Sequence, residues 1–267
     1  MDITFSQSTI TGYILSGILS ILLTVVFIIL WKVKTKAPVF PIIVGAITFV
    51  LFAEILKVIP LYPLIVSDNS VSRTINSTPV LYYLIAALSA GIFEETGRYI
   101  AFRFVLKKHT ERRTSLDYAV GHGGIEALIT SVTPISIAVL GTMANNGMLS
   151  QILSSNPEQQ QAKVIEQLTN YASHSFGVTM LWIPERISAV IIHLALSVLL
   201  FRAVRDKKFI LYPIAVLIHF AIDFCTIFYT DHPVLTELFF PVVSVVLIVT
   251  VIKTVYRKMP ESTEVTE

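Results

Sequence analysis

The stretch PVLYYLIAALSAGIFEETGRYIAFRFVL, residues 79–106, decides the class of this protein. A helix needs roughly 20 mostly apolar residues to cross a bilayer, and this run is longer than that. It nevertheless carries Glu94, Glu95 and Arg98 in its second half. An ionisable side chain at bilayer depth costs several kcal/mol, so such groups usually face a polar cavity and serve a function. The stretch therefore predicts a membrane helix that contributes to a site.

Similar apolar runs recur along the whole chain. Hydrophobic residues make up 54% and charged residues 14% of the 267 residues, and the mean hydropathy is +0.73. This composition predicts an all-α, polytopic protein of the cell membrane, with one integral membrane domain over residues 1–267. The core of that domain is predicted at 40–230. Seven spanning helices are predicted, at 10–31, 40–63, 79–106, 118–141, 177–201, 209–230 and 233–256, the first and the last of them peripheral.

Positive charge is concentrated in alternate connections, and the opposite ones hold only Arg73 and Lys163, which predicts the orientation. Clusters of Lys and Arg follow the first, third, fifth and seventh predicted helices, at 32–36, 107–113, 202–208 and 257–258. By the positive-inside rule, the N-terminus is outside and the C-terminus is cytoplasmic. The net charge of +2 is too small to imply a nucleic-acid partner, and none is expected.

One long connection, 142–176, lies on the external side in this orientation. Its apolar residues are spaced as in short amphipathic helices on the membrane interface. It is either an ordinary surface connection or a lid that guides substrate. The tail, 260–267, is predicted to be disordered.

The ionisable residues inside the predicted helices are the candidate site. Counting helical rise from the basic ends puts Glu94, His193, His219 and Asp223 together near the middle of the membrane, somewhat nearer the cytoplasmic face. Water and peptide are therefore expected to enter from that side. The full set is Glu94, Glu95, Arg98, His122, Glu126, Glu185, Arg186, His193, His219 and Asp223.

Spacing of three or four residues places several of these side chains on common helix faces. Glu94 and Glu95 both pair with Arg98 in this way, as His219 does with Asp223. Adjacent carboxylates point about 100° apart on a helix, so only one of the two glutamates faces a given cavity squarely. A glutamate here is either a general base or half of a buried ion pair that holds helices together.

Two further motifs support the candidate site. Three glycines flank His122 in the segment 121–124 and permit close approach of another backbone or of an extended peptide. Glu126 lies one turn after His122. Glu185 and Arg186 follow a proline and form either an internal ion pair or part of the chemistry. Arg98, His122, Glu126, Glu185 and Arg186 are thus supporting candidates.

These residues, in this order, resemble the motifs of the glutamate-dependent intramembrane proteases. That superfamily includes the CAAX prenyl endopeptidases, the bacteriocin-processing proteins (together CPBP) and the PrsW proteases, and the whole chain is most similar to the bacterial YhfC family. The PrsW-like pattern is closer, because the prenyl proteases have the arginine one residue later and an Asn where Asp223 stands here. Prenylated substrates are therefore not implied. The motifs are Glu94-Glu95-x-x-Arg98, His193 and His219-x-x-x-Asp223.

The resemblance implies peptide hydrolysis within the membrane. Glu94 would activate water with support from Glu95, and His193 would position the water or stabilise the intermediate. His219 and Asp223 would complete the wall on the oxyanion side. The implied partners are a membrane peptide or protein substrate and the lipid bilayer, whereas the substrate's identity and the oligomeric state are left open.

Two questions stay open in the sequence. Relatives in this family are often called metalloproteases, and Glu94, His193 and His219 could bind Zn²⁺ with an open position. No His-Glu-x-x-His motif is present, and paired glutamates with separate histidine donors can act without an ion, so no cofactor is expected. The same buried groups would also suit a proton-coupled transporter or a non-catalytic membrane scaffold or immunity protein.

Overall fold

The structure is a computed structural model that describes residues 3–154 and 158–262. These residues form helices, and no strand occurs among them, which confirms the all-α prediction. The helices are α1 (Gln7–Thr35), α2 (Val39–Val66), α3 (Ser70–Ser77), α4 (Pro79–Val105), α5 (Thr114–Asn145), α6 (Leu149–Leu153), α7 (Glu158–Ala172), α8 (Phe176–Arg205), α9 (Leu211–Phe228) and α10 (Pro233–Lys258).

Six of the described helices are long and apolar enough to cross a membrane, so this is a multi-pass membrane protein. These six are α1, α2, α5, α8, α9 and α10. The count rises to the predicted seven if α3 and α4 together form one broken span, bent by 104°. The break falls at Thr78, which has an extended backbone and precedes Pro79. A residue before proline is pushed out of the helical region, which accounts for the bend.

The antiparallel helices give the bundle two ends. At one end lie the basic clusters, where α1, α4, α8 and α10 end and where α2, α5 and α9 begin. We call this the basic end, and the opposite one the distal end. The basic half and the distal half are the two parts of the bundle on either side of His193.

Helix α8 is the central element. Of its most apolar stretch 67% is buried inside the protein, against 17–33% for the other candidate spans. It packs against α1, α4, α5, α9 and α10. Polar residues of α8 therefore face protein rather than lipid, which is where a charged group at bilayer depth can be accommodated.

Helices α2 and α5 touch backbone to backbone. A Cβ on Gly121 would overlap the carbonyl of Ile42, and one on Gly45 would overlap the carbonyl of Tyr118. Small residues at such crossings let membrane helices approach closely. The sequence predicts either another backbone or an extended peptide beside this glycine segment, and the structure places the backbone of α2 there. The contact fixes the position of His122, which follows Gly121.

The long distal connection contains two short helices, α6 and α7, where the sequence predicted amphipathic ones. Leu168 on α7 packs with Phe5 and Ile137 at the distal ends of α1 and α5. Lys163 donates to Asn76 Oδ1 at 2.9 Å and lies 4.2 Å from the centre of the Tyr82 ring. Helix α7 therefore covers the distal end of the bundle.

Parts of two predicted segments lie outside the described residues. These parts are 155–157 in the distal connection and 263–267 in the predicted disordered tail. Within the described part of the tail, the Glu261 carbonyl accepts from Arg112 N at 2.8 Å. The start of the tail is therefore anchored to the loop that precedes α5.

Candidate active site

Glu95 on α4 is completely buried and held from two sides. Arg98, one turn further along α4, donates to its carboxylate, and both side chains have no exposed surface. His219 on α9 lies with its Nδ1 2.9 Å from Glu95 Oε1. An imidazole N–H that donates to a carboxylate fixes the ring orientation and tautomer. Glu95 thus links α4 to α9 and leaves Nε2 of His219 free of that bond.

Arg98 also connects α4 to α8. Its Nη2 lies 2.8 Å from His193 Nδ1. A guanidinium can only donate, so Nδ1 of His193 accepts, and a neutral ring then carries its proton on Nε2. That nitrogen lies against Oε2 of Glu126 on α5. One arginine therefore sets the tautomer of His193 and positions Glu95 at the same time.

Glu94 is held less firmly than its neighbour. Its Oε2 lies 3.4 Å from His122 Nε2 and 4.0 Å from His219 Nε2. His122 is in turn 3.3 Å from the hydroxyl of Tyr118 through its Nδ1. Glu94 is 5% exposed and Glu95 is 0% exposed, so both are buried, but only Glu95 has an arginine partner. The two adjacent carboxylates are therefore in different environments.

The three imidazoles form a row across the interior. The ring centroids of His122 and His193 are 5.0 Å apart, and those of His193 and His219 are 5.5 Å apart. Asp223 stands at the edge of this row, with Oδ2 3.5 Å from His219 Nε2 and 38% of its side chain exposed. The row thus connects the most buried part of the cluster to a partly open edge.

Glu94, His193 and His219 could hold a metal ion. One ligand atom from each lies within 4.8 Å of the other two, and all three residues are buried. Two imidazoles and one carboxylate are a common donor set of catalytic zinc. His219 already has the arrangement seen in such sites, with Nδ1 directed to a carboxylate and Nε2 available. His193 would have to move its proton to Nδ1, and Arg98 would have to release that nitrogen. The donor set fits zinc in identity and spacing.

Glu185 and Arg186 stand apart from the row, towards the distal end. They form an ion pair with each other, and Arg186 also donates to the hydroxyl of Thr130 on α5. Arg186 interacts electrostatically with Glu126, which ties the pair to the cluster around His193. The structure thus brings eight of the ten candidate residues into one connected cluster and leaves this pair beside it.

Three residues near the cluster escaped the sequence reasoning. Tyr118 precedes His122 by one helical turn, and that spacing could have identified it. Lys57 on α2 interacts electrostatically with Glu94, and Glu237 on α10 is buried near Glu185. Both are ionisable residues within apolar segments, so the criterion that selected the others applied to them as well.

Similarity to known proteins agrees with this architecture. The family model described as YhfC intramembrane metalloprotease matches residues 19–247, a range that contains the whole cluster. A curated relative, "Uncharacterized membrane protein YhfC" of Bacillus subtilis (strain 168), is 34% identical over 213 residues, which are 78% of this chain and 81% of the relative. No solved structure matches the chain.

Proposed function

The chain belongs to the YhfC intramembrane metalloprotease family, and we propose that it is an endopeptidase that hydrolyses peptide bonds of membrane or membrane-associated substrates. The observation that carries this proposal is the buried convergence of Glu94, His193 and His219 from three different helices. Such a set can activate water and stabilise an oxyanion, the two requirements of peptide hydrolysis.

The two glutamates have different roles in this proposal. Glu95 is neutralised by Arg98 and receives His219, so it is a positioning residue. Glu94 has no arginine partner and faces both His122 and His219. It is therefore the carboxylate that acts on the attacking water, either as its base or as a ligand of the ion that holds it.

When no metal is bound, the histidines act on the substrate carbonyl. His193 carries a proton on Nε2 when Arg98 occupies Nδ1, so it can donate to a developing oxyanion once Glu126 releases it. His219 is oriented by Glu95 and has Asp223 beside its Nε2. Asp223, at the partly exposed edge, orients His219 rather than contacting the oxyanion, because an ionised carboxylate would oppose that charge.

The family name and the donor set support zinc as a cofactor, whereas the sequence alone leads us to expect a mechanism without one. Glu94, His193 and His219 would hold it. Zn²⁺ bound there would acidify a water molecule and polarise the scissile carbonyl. Glu126, whose carboxylate lies against His193, is then the residue available to accept the proton.

Orientation and wider kinship are part of the same proposal. The basic end faces the cytoplasm, supported by the Lys and Arg residues at 32–36, 107–113 and 202–208. The N-terminus is then outside. The order of Glu94, Glu95, Arg98, His193 and His219 supports a place for the family within the CPBP and PrsW superfamily.

The test is cleavage of a membrane-peptide library by the purified protein in detergent, compared with Glu94→Gln. We expect wild-type protein to cleave, a chelator to abolish cleavage and Zn²⁺ to restore it. Glu94→Gln should be inactive while its thermal melting stays like that of wild type. Cleavage that survives chelation would assign Glu94 as a base without metal. Absence of cleavage by a correctly folded wild type would favour transport or a scaffold.

A further inference from the structure

A second group of residues with buried polar atoms lies in the distal half, outside the candidate active site. Glu237 is 4% exposed and His174 is 5% exposed. Glu237 Oε2 and His174 Nε2 form no hydrogen bond to any residue that the structure describes. Trp182 Nε1 and Tyr229 Oη approach each other, but outside hydrogen-bond geometry. We call these four residues the distal polar cluster.

The four residues lie together where several helices end. The rings of His174 and Tyr229 are 5.9 Å apart, and Tyr13 on α1 bonds His174 Nδ1 at 2.7 Å. Tyr229 interacts electrostatically with Glu237. Leaving a buried polar atom without a partner is energetically unfavourable. Grouped buried polar atoms of this kind normally bind internal water, so the cluster has the character of a hydrated chamber.

The distal polar cluster is continuous with the active site. Glu237 interacts electrostatically with Glu185 and Arg186. Arg186 in turn interacts with Glu126, whose carboxylate lies against His193. Charged groups close enough to interact electrostatically therefore extend from the distal polar cluster to the candidate catalytic residues.

The basic half is mostly apolar, although the Oγ atom of Ser197 there also has no hydrogen-bond partner among the described residues. The ring of Phe102 lies 4.6 Å from that of Tyr118 and 5.3 Å from that of Phe201. Leu196 and Leu200 are fully buried in the same apolar core. This layer stands between His193 and the cytoplasmic side in the proposed orientation. It argues against the expectation from sequence that water enters from that side.

We propose that the distal polar cluster is a water-filled vestibule at the distal end of the bundle and that it supplies the hydrolytic water to the active site. Hydration of the vestibule follows from its own residues. Supply of water for hydrolysis rests on the proposed function.

Two buried serines of α8 provide a matched test of hydration. Ser188 follows Glu185 by three residues and shares its face, and Ser197 lies on the other side of His193, within the apolar half. They are 2% and 0% exposed. Each is changed to Cys in a Cys225→Ala background, and the rate of modification by a small water-soluble methanethiosulfonate is measured. The reactive thiolate forms only where water reaches it, so Ser188→Cys should react at least about tenfold faster. Equal rates, or a faster Ser197→Cys, would overturn the vestibule.

A second measurement uses the unmodified chain. Tyr13 and Tyr118 are both 0% exposed, one next to His174 and one in the apolar layer beside Phe102. Hydroxyl radicals generated from internal water by synchrotron X-rays oxidise side chains next to that water. Tyr13 should be oxidised several-fold faster than Tyr118, and equal oxidation would contradict the vestibule.

Neither measurement depends on catalysis, so the two proposals can fail separately. Fast labelling of Ser188→Cys in a protein that cleaves no peptide would support the vestibule and contradict the proposed protease activity. If the protein cleaves peptides but neither the Ser188→Cys thiol nor Tyr13 reacts, the protease activity is supported and the vestibule is contradicted.

Discussion

The two halves of the bundle differ in what fills the space between their helices. In the basic half, Phe102, Leu200 and Phe201 make close apolar contacts. In the distal half, the interior contains the Glu185–Arg186 pair and Glu237. The candidate catalytic residues lie at the boundary between the two. A rigid apolar base and a polar approach are what hydrolysis in a membrane requires, because the residues must be held in place while water still reaches them.

The same chemical pair occurs once at this boundary and once in the distal half, which allows the largest expected effect to be tested. Glu95 and Arg98 have no exposed surface, whereas the side chains of Glu185 and Arg186 are each 14% exposed. Removing one partner of a fully buried ion pair costs about 3–5 kcal/mol. Arg98→Met should therefore unfold the protein or lower its melting temperature strongly, as followed by thermal melting in detergent.

Arg186→Met is the matched control for Arg98→Met. It leaves Glu185 beside the hydrated vestibule, so the loss of melting temperature should be clearly smaller. Equal losses of melting temperature would mean that Glu185 and Arg186 are no better hydrated than Glu95 and Arg98. That result would contradict the proposed difference in hydration.

Backbone packing gives the next largest effect. A Cβ on Gly121 would overlap the Ile42 carbonyl of α2, so one of the two helices must shift in Gly121→Ala. Overpacking of this kind costs about 1–3 kcal/mol. At Gly177, near the distal start of α8, such a Cβ would lie 3.9 Å from Ser175 Oγ, an ordinary contact distance. Gly177→Ala should therefore leave the melting temperature nearly unchanged. A stable Gly121→Ala would contradict the close α2–α5 contact.

A smaller effect is expected on turnover. Glu237→Gln keeps the shape of the vestibule but removes a carboxylate that organises its water, so kcat should fall several-fold while KM stays the same. Ser197→Ala in the apolar half should change neither constant. A rise in KM alone in Glu237→Gln would assign Glu237 to substrate binding and would argue against a role in water supply.

The sequence predicted the helices and most of the candidate site for one physical reason. Lipid leaves few positions for charge, so each charged residue inside an apolar run is informative. Helical rise alone predicts a common depth for Glu94, His193 and His219, and the structure places one ligand atom of each within 4.8 Å of the other two. Their catalytic roles remain predictions.

Other features depended on tertiary packing and could not be read from the chain. The difference between Glu94 and Glu95 arises because Arg98 and His219 both reach Glu95. The side on which water approaches depends on which end of the bundle is filled with apolar side chains. Helical rise predicts the distance from His193 to the basic end. It does not predict that Phe102 and Leu200 fill the space between them.

The smallest expected effect is a dependence of stability on pH in the distal half. Burial lowers the pKa of His174 below its ordinary value of about 6.5, because the few waters of the vestibule solvate a charge less well than bulk water does. The unfolded chain therefore binds a proton at that residue more readily than the folded one, and the free energy of unfolding should fall as pH drops below the ordinary value. Wild type should thus lose melting temperature between about pH 7.5 and 5.5, and His174→Gln should lose less. Tyr13→Phe, which removes the partner of His174 Nδ1 but keeps the histidine, should retain the wild-type dependence. If His174→Gln shows the same loss as wild type, His174 is not held neutral by the distal half, and its ring is solvated more fully than its burial suggests.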